Sequence, residues 1–183
     1  MYLGKAFVDL IGSGKSQNFW CNLIGFNLLW ACCILLGNSV LIAVIFLLLV
    51  HFLFHSTPLV EVQVVFITAI LGYSIDCALT LLGFFQFEKV QGITPLWLIF
   101  LWIGFCCTLR SSLAFFSGKL FLSIPVGAVA GSMAYMAAAN FGAVQLILPA
   151  LTSALILALI WAVMFPLLLW ISSNLEEYLC FKS

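Results

Sequence analysis

Few side chains in this sequence could do chemistry, and the most conspicuous are two charged residues set in long apolar stretches. Asp76 lies inside an apolar run from Val62 to Phe85, and Arg110 follows the next such run. Tyr73, Asp76 and Thr80 recur at helical spacing, so they share one helix face. A charge at the centre of a membrane helix costs about 2.5–3.5 kcal/mol to insert. Both charged residues therefore need compensating partners.

Three interpretations of Asp76 remain open from the sequence. It is a structural acceptor bonded to a neighbouring Asn, Ser or Tyr; or it pairs with Arg110, directly or across a water-filled cavity; or the two line a polar pocket for a lipid headgroup or small substrate. At 1.5 Å per residue, their Cα atoms differ in depth by roughly 10 Å, which argues against direct contact. The predicted intramembrane polar site comprises Asp76, Tyr73, Thr80, Arg110, Asn22 and Asn27.

A metal site is the other chemistry to consider. His51 and His55 are the two histidines of the chain, and their spacing of four places them on one helix face. At the end of an apolar run, such a pair is more typical of an interfacial position favoured by the helix dipole. The seven cysteines show no metal-ligand spacing and are expected to be buried, reduced thiols. We predict no cofactor and no metal, with His51 and His55 as the alternative candidates.

The composition identifies the class of protein that holds these residues. Of the 183 residues, 66% are hydrophobic and 7% are charged, whereas soluble domains carry about 25% charged residues. The apolar runs are continuous and do not alternate, which predicts membrane helices and argues against a barrel. We predict an all-α, polytopic transmembrane bundle of about six helices over residues 19–172, with a cytoplasmic or interfacial tail at 1–18 and a cytoplasmic tail at 173–183.

The charges set the predicted orientation. Basic residues concentrate on the cytoplasmic side of membrane proteins, and an N-in/C-in arrangement puts Lys89 alone outside and the other basic residues inside. Six basic and six acidic residues leave no net charge, so no nucleic-acid partner is expected. Gly127, Gly131 and Ala134 form a small-residue face that predicts close helix packing.

The sequence resembles a bacterial inner-membrane family known as domain of unknown function 2878. The matching stretches are Pro95-Leu96-Trp97, Leu101-Trp102, Thr108-Leu109 with Ser112-Leu113, and Gly127 to Ala143, together with Asp76. Two features depart from the pattern: Ser132-Met133 replaces an expected small-Pro pair, and the N-terminal tail is long. The resemblance implies a small, multi-pass protein of the bacterial inner (plasma) membrane with no assigned activity and a loose association with lipid-modifying enzymes.

The residues do not form a complete catalytic set. Two histidines are too few for a membrane di-iron enzyme, and a single intramembrane aspartate is too few for a presenilin-type protease. Enzymatic activity stays open, although a non-enzyme is favoured. The leading prediction is a lipid-related accessory or binding protein whose partners are membrane lipids and, in one version, another membrane protein. The alternatives are a small transporter or proton-coupled carrier using Asp76, and a structural subunit of a membrane complex.

Overall fold

The computed structural model describes residues 19–87 and 92–181, and most of them are helical. Six α-helical segments follow one another within this part of the chain: α1 Phe19–Leu36, α2 Leu41–Phe54, α3 Pro58–Leu81, α4 Leu96–Leu109, α5 Leu120–Asn140 and α6 Ala150–Phe181. Two 3-10 turns, Gly37–Val40 and Ala114–Phe116, lie between helices. Two-residue strands, β1 Phe85–Gln86 and β2 Gln145–Leu146, pair antiparallel.

The predicted tails have different outcomes. Residues 1–18 lie outside the described residues. Residues 173–181 of the other predicted tail are helical and form the last part of α6, which ends at Phe181; the cytoplasmic location of this tail stays a prediction. Helix α3 differs at both ends from the apolar run Val62 to Phe85: it begins at Pro58 and ends at Leu81. Proline is well suited to the first turn, since it lacks only an N–H that this turn leaves unbonded anyway.

Length and composition support a protein that crosses a membrane several times. Four helical stretches within the described residues are long and apolar enough for this: Phe19–Phe54, Pro58–Leu81, Leu120–Asn140 and Ala150–Leu179. Helix α4 is apolar but has only 14 residues. The multi-pass helical class is therefore supported, while the count of six spans stays a prediction.

The stretch Phe19–Phe54 folds back on itself at the 3-10 turn. Near the end of α4, Asn22 donates to the carbonyl of Cys107 (3.3 Å). At the start of α4, Asn38 accepts from the Trp97 N–H (3.1 Å). His51 in α2 contacts Glu61, which in turn bonds Arg110 just after α4. Both ends of the stretch thus lie near the end of α4, so α1 and α2 run in opposite directions.

The ends of α3 and α5 are closed in the same way. Gly83 and Gly142 follow these helices with φ of 74° and 78°, a conformation that glycine adopts without strain. The next N–H groups, of Phe84 and Ala143, turn back to carbonyls of the last helical turn. This is the Schellman arrangement. The turn after α3 leads into β1 and the turn after α5 leads into β2. Because β1 and β2 pair, they hold the ends of α3 and α5 together.

Helices α5 and α6 form a closely packed pair. A Cβ on Gly131 would lie 2.2 Å from Trp161 Cγ, and one on Gly127 would lie 2.7 Å from the Trp161 carbonyl oxygen. Only glycine allows the backbones to approach so closely. The predicted small-residue face thus lies against α6 of the same chain, and it is not open to a partner subunit at these two glycines.

Candidate functional site

Asp76 lies in the interior of the bundle and joins three helices. Asp76 is 2% exposed. Trp102 Nε1 on α4 donates to Oδ2 at 2.7 Å, and the Tyr135 hydroxyl on α5 lies 2.7 Å from both carboxyl oxygens. Both partners are neutral, and no ion pair reaches Asp76 from the described residues. The arrangement is that of a buried acceptor with two hydrogen-bond donors.

The position of Trp102 depends on Gly72, one helical turn before Asp76. A Cβ at Gly72 would lie 2.1 Å from the Trp102 ring, so the indole reaches Asp76 across a bare stretch of α3. Trp102 also stacks on Trp161 of α6, with centroids 5.8 Å apart. The Tyr135 ring stacks on Phe85 of β1 at 5.1 Å. Aromatic packing therefore holds both donor side chains in position beside the carboxyl group.

The other residues predicted for this site lie elsewhere or bond elsewhere. Thr80 Oγ1 donates to the backbone carbonyl of Asp76 (2.8 Å), and the Tyr73 hydroxyl pairs with Thr94 Oγ1 (2.7 Å). Asn22 joins α1 to the segment after α4, where Ser112 Oγ donates to its Oδ1 at 2.6 Å. Asn27 is exposed and bonds within its own helix. Arg110 belongs to a separate cluster.

An apolar cavity of about 200 Å³ adjoins Trp102 and Tyr135. We call it the aromatic groove. Helices α1, α4, α5 and α6 all contribute to its lining. Its walls are almost wholly aliphatic and aromatic, and the residues that define it include Phe26, Trp30, Trp97, Ala130, Ala134 and Tyr135. Alanines on α5 leave space that larger side chains would fill.

A second polar cluster surrounds Arg110. We call Arg110, Glu61, Glu176, His51 and His55 the ion cluster. Arg110 Nη1 donates to Glu61 Oε2 at 2.6 Å, and Nη2 donates to Glu176 Oε1 at 2.8 Å. The Glu61 and Arg110 side chains are 0% and 5% exposed, whereas that of Glu176 is 45% exposed. The guanidinium thus compensates the fully buried carboxylate of Glu61.

Both histidines contact the same carboxylate. His51 Nε2 lies 3.0 Å from Glu61 Oε1, and His55 Nε2 lies 3.4 Å from Oε2. The N–H of Thr57 donates to His55 Nδ1 at 3.2 Å, so a neutral His55 ring carries its proton on Nε2, facing Glu61. Burial, together with the positive charge of Arg110, lowers the pKa of His55 against the opposing pull of Glu61. The neutral form of His55 is therefore favoured.

Burial alone would lower the pKa of Arg110, but the hydrogen bond to Glu176 and the charge of Glu61 outweigh it. The pKa of Arg110 is therefore raised, and the guanidinium stays charged at any physiological pH. The ion cluster joins α2, α3, α6 and the segment after α4. It closes the end of the bundle where the described chain begins.

Several residues of these two sites were missed by sequence reasoning. Glu61 lies just before the apolar run that begins at Val62, and its position three residues after Pro58 identifies the first turn of a helix. Tyr135 lies four residues after Gly131, on the small-residue face of α5, and this spacing was a usable signal. Glu176 carried no such signal. It reaches the ion cluster only because α6 continues past residue 172.

Two members of the ion cluster and one cysteine beside it could hold a metal. His51, Glu61 and Cys107 each offer one ligand atom (a ring nitrogen, a carboxylate oxygen and Sγ), and these three atoms lie within 4.8 Å of one another. His55, predicted as an alternative candidate together with His51, lies beside them. The six described cysteines are all free, and Cys21 and Cys32 are exposed, not buried as expected.

Comparison with known proteins relates the chain to one family. A family described as "Protein of unknown function (DUF2878)" matches residues 19–167. The comparisons found no match among curated proteins or among solved structures.

Proposed function

This chain belongs to the DUF2878 family of proteins of unknown function, and we propose that it binds lipid acyl chains in the aromatic groove as a multi-pass protein of the bacterial inner membrane. It would serve as a lipid-related accessory or binding protein and not as a stand-alone enzyme. The observation that carries the proposal is the groove itself: an apolar space of about 200 Å³ lined by residues of α1, α4, α5 and α6.

The volume of the groove suits part of a lipid acyl chain. A cavity of about 150 Å³ is enough to hold benzene, whereas pockets for drug-sized ligands span about 300–1,000 Å³. The groove therefore fits a segment of an acyl chain, with the rest of the lipid outside. Its walls offer almost no polar contact, which disfavours a sugar, nucleotide or peptide as the occupant.

The location of the groove favours a lipid over another apolar molecule. Trp30 and Ala130 lie near the middle of α1 and α5, so the groove lies at mid-depth if these helices cross the bilayer. Large apolar side chains around it are exposed, among them Leu28 on α1 and Val129 on α5. Lipid chains are the natural surroundings of such surfaces. A lipid tail can therefore enter sideways, without crossing water.

The Asp76 site supports this function by shaping the wall of the groove. Tyr135 and Trp102 both line the groove and both donate to Asp76. Hydrogen bonding to one buried carboxyl group prevents either ring from rotating into the space. This is the structural-acceptor interpretation of Asp76, and it assigns the residue a positioning role.

The proposed topology has six crossings with both termini in the cytoplasm. The reversal between α1 and α2 supports counting them as separate crossings. Each of α2 and α4 has 14 residues, or roughly 21 Å, which is shorter than the ~30 Å hydrocarbon core. Local thinning of the bilayer accommodates such helices. Arg110 and Lys119 lie at the same end, and the positive-inside rule assigns that end to the cytoplasm.

Photocrosslinking tests lipid binding. The purified protein would be reconstituted with a phospholipid that carries a diazirine on its acyl chain, irradiated, and mapped by mass spectrometry. We expect labels on α1 and α5 peptides that contain Trp30 and Ala130. Ala134→Phe fills the groove and should reduce this labelling several-fold. Val129→Phe, a substitution of similar size on the exposed side of α5, is the matched control and should leave it unchanged.

Two results would contradict the proposal. One is labelling spread evenly over α2 and the outer surface of α5, with no preference for the groove. The other is equal labelling of Ala134→Phe and Val129→Phe. The rival carrier function makes a different prediction: pH-driven flux in proteoliposomes that Asp76→Asn abolishes.

A further inference from the structure

We propose that His51, Glu61 and Cys107 form a binding site for a divalent transition metal, with Zn²⁺ as the best-suited ion. The site draws on three helices, α2, α3 and α4. It lies in the ion cluster, away from the aromatic groove, and does not depend on lipid binding.

The geometry is close to that of a metal site. The three ligand atoms lie within 4.8 Å of one another, and His51 Nε2 is already 3.0 Å from Glu61 Oε1. Zinc bonds N, O and S ligands at about 2.0–2.3 Å, so tetrahedral ligands lie roughly 3.3–3.8 Å apart. At most about 1.5 Å of closure is needed, which is within reach of a side-chain rotation at Cys107.

The ligand types indicate the class of metal. Imidazole and thiolate favour zinc and other late transition metals, whereas Mg²⁺ and Ca²⁺ prefer oxygen ligands alone. Glu61 is fully buried, and Cys107 is 3% exposed. Nucleophilic or redox cysteines are usually more accessible than this. A buried thiol beside an imidazole and a carboxylate is therefore better suited to coordination.

The neighbours of these ligands resemble the supporting contacts of known metal sites. Carboxylates that bind metals are usually hydrogen-bonded through their second oxygen. Here Arg110 Nη1 bonds Glu61 Oε2, which leaves Oε1 to face His51. His55 supports the site from outside the ligand set: the Thr57 N–H donates to its Nδ1, so the ring proton lies on Nε2, which faces Glu61 Oε2 at 3.4 Å.

Charge balance also favours a divalent cation. With neutral histidines and a neutral thiol, Glu61, Glu176 and Arg110 carry a net charge of −1. Binding of Zn²⁺, with release of the Cys107 thiol proton to solvent, forms the thiolate–zinc bond and brings the cluster to zero. Neutrality matters because uncompensated charge is costly in a buried site. A proton on one histidine would give the same balance, so a proton is the competitor that the experiment must exclude.

Zinc titration of the full-length protein in detergent tests the site. The protein would be stripped with a chelator and titrated with Zn²⁺ against a chromophoric competitor. We expect one ion per chain, and a dissociation constant raised at least about 100-fold in Cys107→Ser and in His51→Gln. Cys106→Ser is the matched control, because Cys106 is buried next to Cys107 but is not among the ligands. It should leave the constant within about threefold of the parent value.

Binding of Co²⁺ to the parent protein gives an independent signal, and this signal does not depend on whether the variants fold. Co²⁺ bound to a thiolate produces a charge-transfer absorption in the near ultraviolet. We expect this band in the parent protein and in Cys106→Ser, and its loss in Cys107→Ser. A parent protein without the band, substoichiometric zinc, or equal zinc affinity in the two serine variants would overturn the proposal and leave the ion cluster as a proton-balanced ion-pair network.

Discussion

Replacing Asp76 separates the hydrogen-bonding role of this side chain from its charge. In Asp76→Ala, Trp102 Nε1 and the Tyr135 hydroxyl lose the acceptor that each now has at 2.7 Å. In Asp76→Asn, the amide oxygen still accepts from Trp102, and the amide nitrogen can donate to the Tyr135 oxygen. We therefore expect Asp76→Ala to be clearly destabilised and Asp76→Asn to be only mildly so.

The magnitude follows from the two donors. A buried donor left without a partner costs about 1–3 kcal/mol in soluble proteins. Hydrogen bonds between membrane helices average about 0.6 kcal/mol and reach about 1.7. The lower soluble value and the upper membrane value give about 1–1.7 kcal/mol for each donor. Asp76→Ala leaves two donors unpaired and should therefore lose roughly 2–3 kcal/mol of unfolding free energy. Asp76→Asn, which leaves only the Tyr135 hydroxyl proton unpaired, should lose about 1 kcal/mol.

Unfolding in mixed micelles by titration with sodium dodecyl sulfate, followed by circular dichroism, measures these differences. Ser74→Ala is the matched control, because Ser74 is exposed on the same helix and bonds only within it. Tyr135→Phe added to Asp76→Ala should recover part of the loss, since it removes one orphaned donor. Equal loss in Asp76→Asn and Asp76→Ala would refute the acceptor role and indicate that the negative charge itself stabilises the fold.

Three further predictions use the same unfolding assay. Gly131→Ala should lose about 1–3 kcal/mol, because its Cβ would overlap an indole of α6, whereas Gly25→Ala, which meets nothing within 4 Å, should lose nothing. Arg110→Leu should lose about 3–5 kcal/mol, because it removes the cation that compensates the buried Glu61 carboxylate, and the added change Glu61→Leu should recover much of it. A double variant no better than the single one would contradict the ion pair. Zinc at a hundred times its dissociation constant should add about 2.7 kcal/mol, an increment that Cys107→Ser should lack.

Much of the fold could be predicted from hydropathy alone. Helices α1, α4 and α5 each lie in an apolar stretch of the sequence, because each helix has to cover its own backbone in lipid. Helix ends were less predictable. The start of α3 at Pro58 and the continuation of α6 to Phe181 both lie in polar sequence, where the apolar signal is weak.

The candidate sites were predictable only in part. Asp76 was recognisable, because a lone carboxyl group in an apolar run is expensive. Its partners were not, since Trp102 and Tyr135 lie 26 and 59 residues away. The partner of Arg110, Glu61, is 49 residues away, and it lies just outside the apolar run that begins at Val62.

The amino-acid sequence by itself determined that this is a membrane-type helical protein, where its helices lie, and which buried charge most needs a partner. These properties depend on local composition and on a helical period that each segment carries alone. Only the tertiary structure decided that Arg110 pairs with Glu61, that Asp76 bonds two aromatic donors, and that a groove remains beside them. Those outcomes depend on how helices rotate and tilt against one another, which is set by contacts such as Gly72 on Trp102 between segments far apart in the chain.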